Sequence, residues 1–189
     1  LITGTIVSII NLNSFGTQIE TFYNGPFTVK GSANIINTNF ERMQKAVYRS
    51  MANTDMGITN EALEDVKEAA AAIQEQLPIV KEHFMGDPQL VTRLQESLTK
   101  LAPMREEVLK LSSENKNDEA AAYMEANNIV VIKEAQKELD TLIASGNEKG
   151  EELIANLEAS QIRAIIILSV LGCLSVTISI SFALYITRG

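Results

Sequence analysis

Residues 61–84 read EALEDVKEAAAAIQEQLPIVKEHF, and within them Leu63, Val66, Ala70, Ile73, Leu77, Val80 and Phe84 follow one another in alternating steps of three and four. Such steps put all of these side chains on one stripe of an α-helix, the seam along which helices pack. Outward from it the pattern recurs between breakers. Asn53-Thr54-Asp55 with Gly57, then Gly86-Asp87-Pro88, then Ser112-Ser113 through Asn115 and Asn117 interrupt it, and three turns make four helical segments. The second segment is expected to open at a Thr59-Asn60 cap. The third opens with Asp87 as N-cap and Pro88 at the first helical position, then runs through Val91, Leu94, Leu98, Leu101, Met104 and Val108. The first aligns Ile36, Phe40, Met43 and Val47; the fourth aligns Ile129, Ile132, Gln136, Leu139, Ile143, Gly146, Gly150, Leu153 and Leu157. Pro78 and Pro103 fall inside the middle helices, where each removes a backbone bond.

Composition agrees with long helices. Of 189 residues 46% are hydrophobic but only 5% aromatic, with no Trp, and ten Gly and four Pro are too few for a turn-rich β-sandwich of this size. The formal charge of −8 excludes a general nucleic-acid binder, which needs a basic face. Cys173 and His83 are each the single residue of their kind. A lone Cys closes no intrachain disulfide, and the pair makes neither an ordinary zinc site nor a Ser-His or Cys-His catalytic arrangement. The acidic residues lie mostly on outer helical positions, and no Gly-rich phosphate loop follows a strand. The chain reads as a non-enzyme without a cofactor.

Ala164 to Thr187, AIIILSVLGCLSVTISISFALYIT, runs 24 residues without a charge between Arg163 and Arg188. About 20 suffice to cross a bilayer. Tyr185 and the two flanking arginines stand where interfacial anchors are expected. Ser169, Gly172, Ser175 and Ser179 either admit a neighbouring helix or bond their own backbone. At the other end Leu1 to Leu12, LITGTIVSIINL, is apolar as well, and the first charge is Glu20. It is read as the C-terminal part of a first transmembrane helix, with a signal-peptide core as the competing reading. Gly4 and Ser8, at i, i+4 spacing, offer a small face for packing against the second span. The expected division is therefore 1–12 in the first span, 13–163 as one domain looped out on one side of the membrane, and 164–187 in the second span.

Lengths decide topology. Segments 59–85 and 88–113 rise about 40 Å each, whereas 13–54 and 118–163 rise about 63 and 69 Å at 1.5 Å per residue. Two short helices between two long ones, joined by short turns, make an all-α, elongated up-down-up-down four-helix bundle whose first and last helices continue into transmembrane helices. Gly25-Pro26 is expected to kink the first helix or leave a short irregular stretch.

Charge is unevenly spread. Residues 1–58 carry a balance of +1 and residues 59–163 a balance of −10. On the first helix Arg42, Lys45 and Arg49, spaced i, i+3, i+7, stack three cations on one face. Like charges repel, so an anion is expected to compensate: a protein carboxylate, salt or a ligand. If the first helix leaves the membrane near 12 and the last re-enters near 164, residue i lies level with 176 − i. Arg49 then comes level with Asn127, one step from Asn128, and Arg42 with Glu134. Two readings stay open. In one, Arg42 pairs with Glu134 and nothing binds. In the other, Arg42, Lys45 and Arg49 clamp the carboxylate of an organic acid or amino acid, while Asn127, Asn128 or the Tyr48 hydroxyl bond the rest of it.

The order of span, four helices and span, the pattern around Phe22-Tyr23 and Pro26, and the closing Tyr185-Ile186-Thr187-Arg188 resemble the bacterial methyl-accepting chemotaxis receptors with a four-helix-bundle ligand-binding domain, the class of the enteric aspartate and serine receptors. The resemblance covers the whole chain. It implies a homodimer in the bacterial inner membrane, a sensor domain on the extracytoplasmic side, and a HAMP linker starting at 188–189. It also implies a cytoplasmic region beyond this sequence that controls a histidine kinase through an adaptor. In the aspartate receptor, arginines on the membrane-distal part of the first helix and polar groups on the fourth hold the ligand across the dimer. Arg42 and Arg49 stand at a similar height, with different spacing and with Lys45 between them. Sensor histidine kinases and diguanylate cyclases carry bundles of this kind too, and a membrane-anchored helical scaffold with no small ligand is a further reading.

Overall fold

The computed structural model describes residues 2–188. Leu1, the first residue of the expected first span, and Gly189, the last of the expected linker start, lie outside them. The described residues are helical apart from short turns, with no strand among them. Helix α1 is Ile2–Phe22, followed by one π-helical turn, Tyr23–Phe27, and α2, Thr28–Met51. Helices α3, Met56–His83, and α4, Pro88–Ser113, come next. The last rod comprises α5, Asn117–Tyr123, a second π-helical turn, Met124–Asn128, and α6, Ile129–Arg188. The three connections fall at the three expected breakers.

Local chemistry sets the ends. Asp87 accepts a hydrogen bond from the Gln89 amide at 3.0 Å, and Pro88, which has no amide hydrogen to satisfy, opens α4. Asp55 does the same for α3 through the Gly57 amide at 2.7 Å. Helix α3 thus starts before the expected Thr59-Asn60 cap, and Thr59 is buried inside it. Helix α4 ends on Asn115 at φ 57°, with the Lys116 amide bonded to the Leu111 carbonyl and the Asn115 amide to that of Ser112. That left-handed reversal suits Asn, whose short polar side chain tolerates it.

The chain divides into two compact units, 25–149 and the remainder. In the first, α2, α3, α4, α5 and the start of α6 form the four-helix bundle. Ile36, Phe40, Met43 and Val47 face inward from α2 as expected, with Val66, Ile73, Leu77 and Val80 of α3, Val91, Leu94, Leu98, Leu101 and Val108 of α4, and Val131, Leu139 and Leu142 of α6. Two seams differ in detail. On α3 the alanines Ala62 and Ala69 are fully buried and their neighbours Leu63 and Ala70 only half-buried. On α6 Ala135 is buried where the spacing pointed to Gln136. A methyl group lets two backbones approach more closely than a larger side chain, so the small residue takes the axis and its neighbour the edge.

At Gly25-Pro26, where a kink or a short irregular stretch is expected, the chain makes the π-helical turn Tyr23–Phe27. Proline lacks the amide hydrogen that an α-turn uses, and Pro26 lies inside this wider turn. A Cβ on Gly25 would lie 2.5 Å from Met85 Sδ, so glycine is what lets the loop after α3 close over this turn.

The second unit comprises residues 2–24 and 150–188. Ser8, Asn11, Leu12 and Phe15 of α1 and Ala164, Ile165 and Leu168 of α6 line one cavity within it. The hydroxyls of Ser175 and Ser179 bond the carbonyls of Leu171 and Ser175 in their own helix, each at 2.8 Å. Helix α6 contains a stretch long and apolar enough to cross a membrane, with mean hydropathy 2.4 and none of it buried.

Candidate functional site

The candidate cations stand on α2, and the structure turns two of them toward α3. Arg42 Nη2 donates to Asp65 Oδ1 at 2.5 Å and to Glu68 Oε2 at 2.8 Å. Arg49 Nη2 donates to the other oxygen of the same carboxylate, Asp65 Oδ2, at 2.6 Å. One aspartate therefore bridges two arginines seven residues, or two helical turns, apart. Hydrogen bonds from Arg42 and then Arg49 hold the Asp65 carboxyl below its ordinary pKa, and Asp65 and then Glu68 raise that of Arg42. Lys45 stays out of the bridge: its ammonium is largely exposed, 3.6 Å from Glu41 one turn back on α2.

Arg42 thus pairs with Asp65 and Glu68 rather than with Glu134. The compensating anion is a protein carboxylate, supplied by the sequence-adjacent helix and not by the last one. Reflection through a turn centred on Thr54 sets Arg42 opposite Val66, one residue from Asp65. That signal was available in the sequence, from the same antiparallel argument applied to the hairpin of α2 and α3.

The remaining candidates are placed separately. Tyr48 is exposed on α2. Asn127 Nδ2 donates to the Tyr123 carbonyl at 2.9 Å. Asn128 is buried in the second π-turn, its Oδ1 without a donor. Among the described residues no hydrogen bond joins Asn127 or Asn128 to Arg42, Lys45 or Arg49. The level rule is met to within one residue at Val29 and drifts by three residues at Asn37. Gly146 stands against Val29, where 147 is expected, and Gln136 bonds Asn37, where 139 is expected.

Each guanidinium still has donors to offer. Arg42 and Arg49 are both part-exposed, each guanidinium carries five N–H groups of which the bridge uses only those on Nη2, and Arg49 Nε is buried without an acceptor. An incoming carboxylate could exchange with Asp65 on the same fork.

The model of a family described as a four-helix-bundle sensory module for signal transduction matches residues 1–160. Comparison with curated proteins and with solved structures returns no match. With four antiparallel rods, an all-α core and a match over most of its length, the chain belongs to the four-helix-bundle sensory modules of methyl-accepting chemotaxis proteins.

Proposed function

We propose that this chain is the sensor of a transmembrane chemoreceptor, binding a small organic acid or amino acid outside the cytoplasm and passing the event along α6 to a HAMP and kinase-controlling region. The observation that carries this reading is α6 itself. It places Leu139 and Leu142 in the bundle core and continues without a break into the uncharged residues 164–187, whose large apolar side chains are exposed on every face. Side chains so exposed are matched to hydrocarbon rather than to water. Residues 1–12 are assigned to a first span, so that 13–163 loops out into the extracytoplasmic space of a bacterial inner membrane.

In this reading the ligand carboxylate takes the place of Asp65 on Arg42 and Arg49, with Lys45 and Tyr48 at its margin. Asn127 and Asn128 come from the last rod, in a homodimer that of the partner. A ligand bridging α2 and the last rod favours one relative position of the two, and a helix carries that difference to Arg188. The pairing of Arg42 and Arg49 with Asp65 and Glu68 also favours a second reading, a helical module with no small ligand, because the arginines are already neutralised.

Two measurements test these statements. With Cys173 replaced by Ser, a cysteine at Glu119 should react with an impermeant maleimide in intact cells and one at Arg188 should not. Equal labelling of both overturns the membrane assignment. A thermal-shift screen of organic acids and amino acids should find a ligand that stabilises by about 2.7 kcal/mol at 100 Kd. Hits that survive Arg42→Ala and Arg49→Ala unchanged remove the site from α2.

A further inference from the structure

Among the described residues, Arg105 stands apart from Arg42 and Arg49 in meeting no carboxylate. It is half-buried on α4, its Nε is buried without an acceptor, and its Nη1 donates to the thioether Sδ of Met43 at 2.8 Å. Sulfur is a weak acceptor for a full positive charge. Among the described residues no Asp or Glu lies within ion-pair distance of it, although Arg42 and Arg49 both secure one. Desolvation lowers its pKa, and the nearby Glu106 only partly opposes this. An uncompensated cation held inside a bundle is costly, and a long side chain on a surface helix ordinarily swings its head into water.

Arg105 also lines a groove of about 500 Å³ between α3 and α4. Its apolar wall is Leu63, Val66, Ala70 and Leu109, and its polar margin is Lys67, Lys110, Glu106 and Ser113. Leu63 and Ala70 are the α3 residues left half-buried because Ala62 and Ala69 occupy the axis, so the groove follows from that displaced seam. With Arg105 the groove is lined by three cations and one acid in a chain of net charge −8. Lys67 and Lys110 have only carboxylates of their own helices nearby, Glu64 at 2.7 Å and Glu107 at 3.7 Å, exposed pairs that compete weakly.

We propose that this groove binds a small carboxylate with a compact apolar body, its carboxylate on the Arg105 guanidinium and its body against Leu63, Val66, Ala70 and Leu109. The cations and the apolar wall together select this class. A neutral ligand leaves Arg105 without a counter-ion, and a bare inorganic anion leaves the wall uncovered. The site lies within one chain, between α3 and α4, and shares no residue with the bridge of Arg42, Asp65 and Arg49. It rests on the sensory reading only for the use made of the binding.

The test uses the purified full chain in detergent, with isovalerate and hexanoate as probes and isovaleramide and inorganic phosphate as controls, read as the shift in unfolding temperature. At least one acid should raise that temperature, and both controls should leave it unchanged. Arg105→Met should raise the resting unfolding temperature, by removing the unpartnered charge, and abolish the response to acid. Arg105→Lys keeps the charge without the planar fork and should weaken binding about tenfold. Ala70→Phe fills the groove from the other wall and should also abolish the response. No response to either acid overturns the proposal, as does a response retained in Arg105→Met or matched by phosphate. A response lost in Arg42→Ala but kept in Arg105→Met places the ligand on α2, sustaining the earlier site and refuting this one.

Discussion

Gln136 on α6 donates from Nε2 to Asn37 Oδ1 on α2 at 3.1 Å, and from the same nitrogen to Asp140 Oδ1 at 2.8 Å. Both amide hydrogens are thus engaged, one across the bundle and one along it, and the cross-bundle bond holds the first and last rods at one height. Removing either partner should cost about 0.5–1.5 kcal/mol. In a double-mutant cycle of Asn37→Ala with Gln136→Ala, read by urea unfolding, a coupling of at least about 0.5 kcal/mol is expected. Strict additivity would mean that the bond does not set the height.

Asp65→Asn should lower the unfolding temperature at neutral pH by removing the charge that bridges Arg42 and Arg49, with Glu68 left on Arg42 alone. Because pairing depresses the folded-state pKa of Asp65, its stabilising effect is fully present above the unfolded value. It is lost as pH falls through the lower folded one. The difference between wild type and variant should therefore stay level near neutrality and shrink below about pH 4. It should shrink with added salt as well, since the groups are part-exposed.

Leu142 is completely buried, and Leu142→Ala should cost about 2–5 kcal/mol, whereas Ile35→Ala, on an exposed face of α2, should stay within about 0.5 kcal/mol. Chemical denaturation midpoints compare the two directly.

Asp87→Ala removes the acceptor of the Gln89 amide and should cost about 1 kcal/mol, with Asp87→Gly costing less. The equivalent change at Asp55 should behave alike, and both should leave the slope of the denaturation curve unchanged.

Gly86→Ala should destabilise by about 1–3 kcal/mol, because a Cβ there would lie 2.5 Å from Phe84 Cζ and 2.6 Å from Ser145 Oγ. Relief by Ser145→Gly in the same chain, seen as a recovered unfolding temperature, would locate the clash.

What could be read without coordinates was whatever depended on spacing along one helix or on turn chemistry. Asp87-Pro88 announced the start of α4, Asn115 its end, and Phe40 and Val47 their inward face, since each follows from local sterics and hydrogen bonding. The height of Val29 against Gly146 followed from counting alone. The seam positions of Ala62, Ala69 and Ala135 escaped because which of two adjacent apolar residues reaches the axis depends on how closely the helices approach. Asp65 as the bridge is a narrower case: it follows from the hairpin of α2 and α3, not from the level of the cations on the last rod. Arg105 carries no pattern at all in sequence; only burial reveals that it lacks a counter-ion.

The π-turn at Met124–Asn128 has an evolutionary corollary. A ring closed over five residues accommodates one more amino acid than the α-turns around it. Deleting a single codon there would let the ring tighten to an ordinary turn while Val131, Ala135 and Leu139 keep their facing. Homologues one residue shorter in this rod should carry their gap between Met124 and Asn128, and alignments that place it elsewhere would misassign every position between the two gaps.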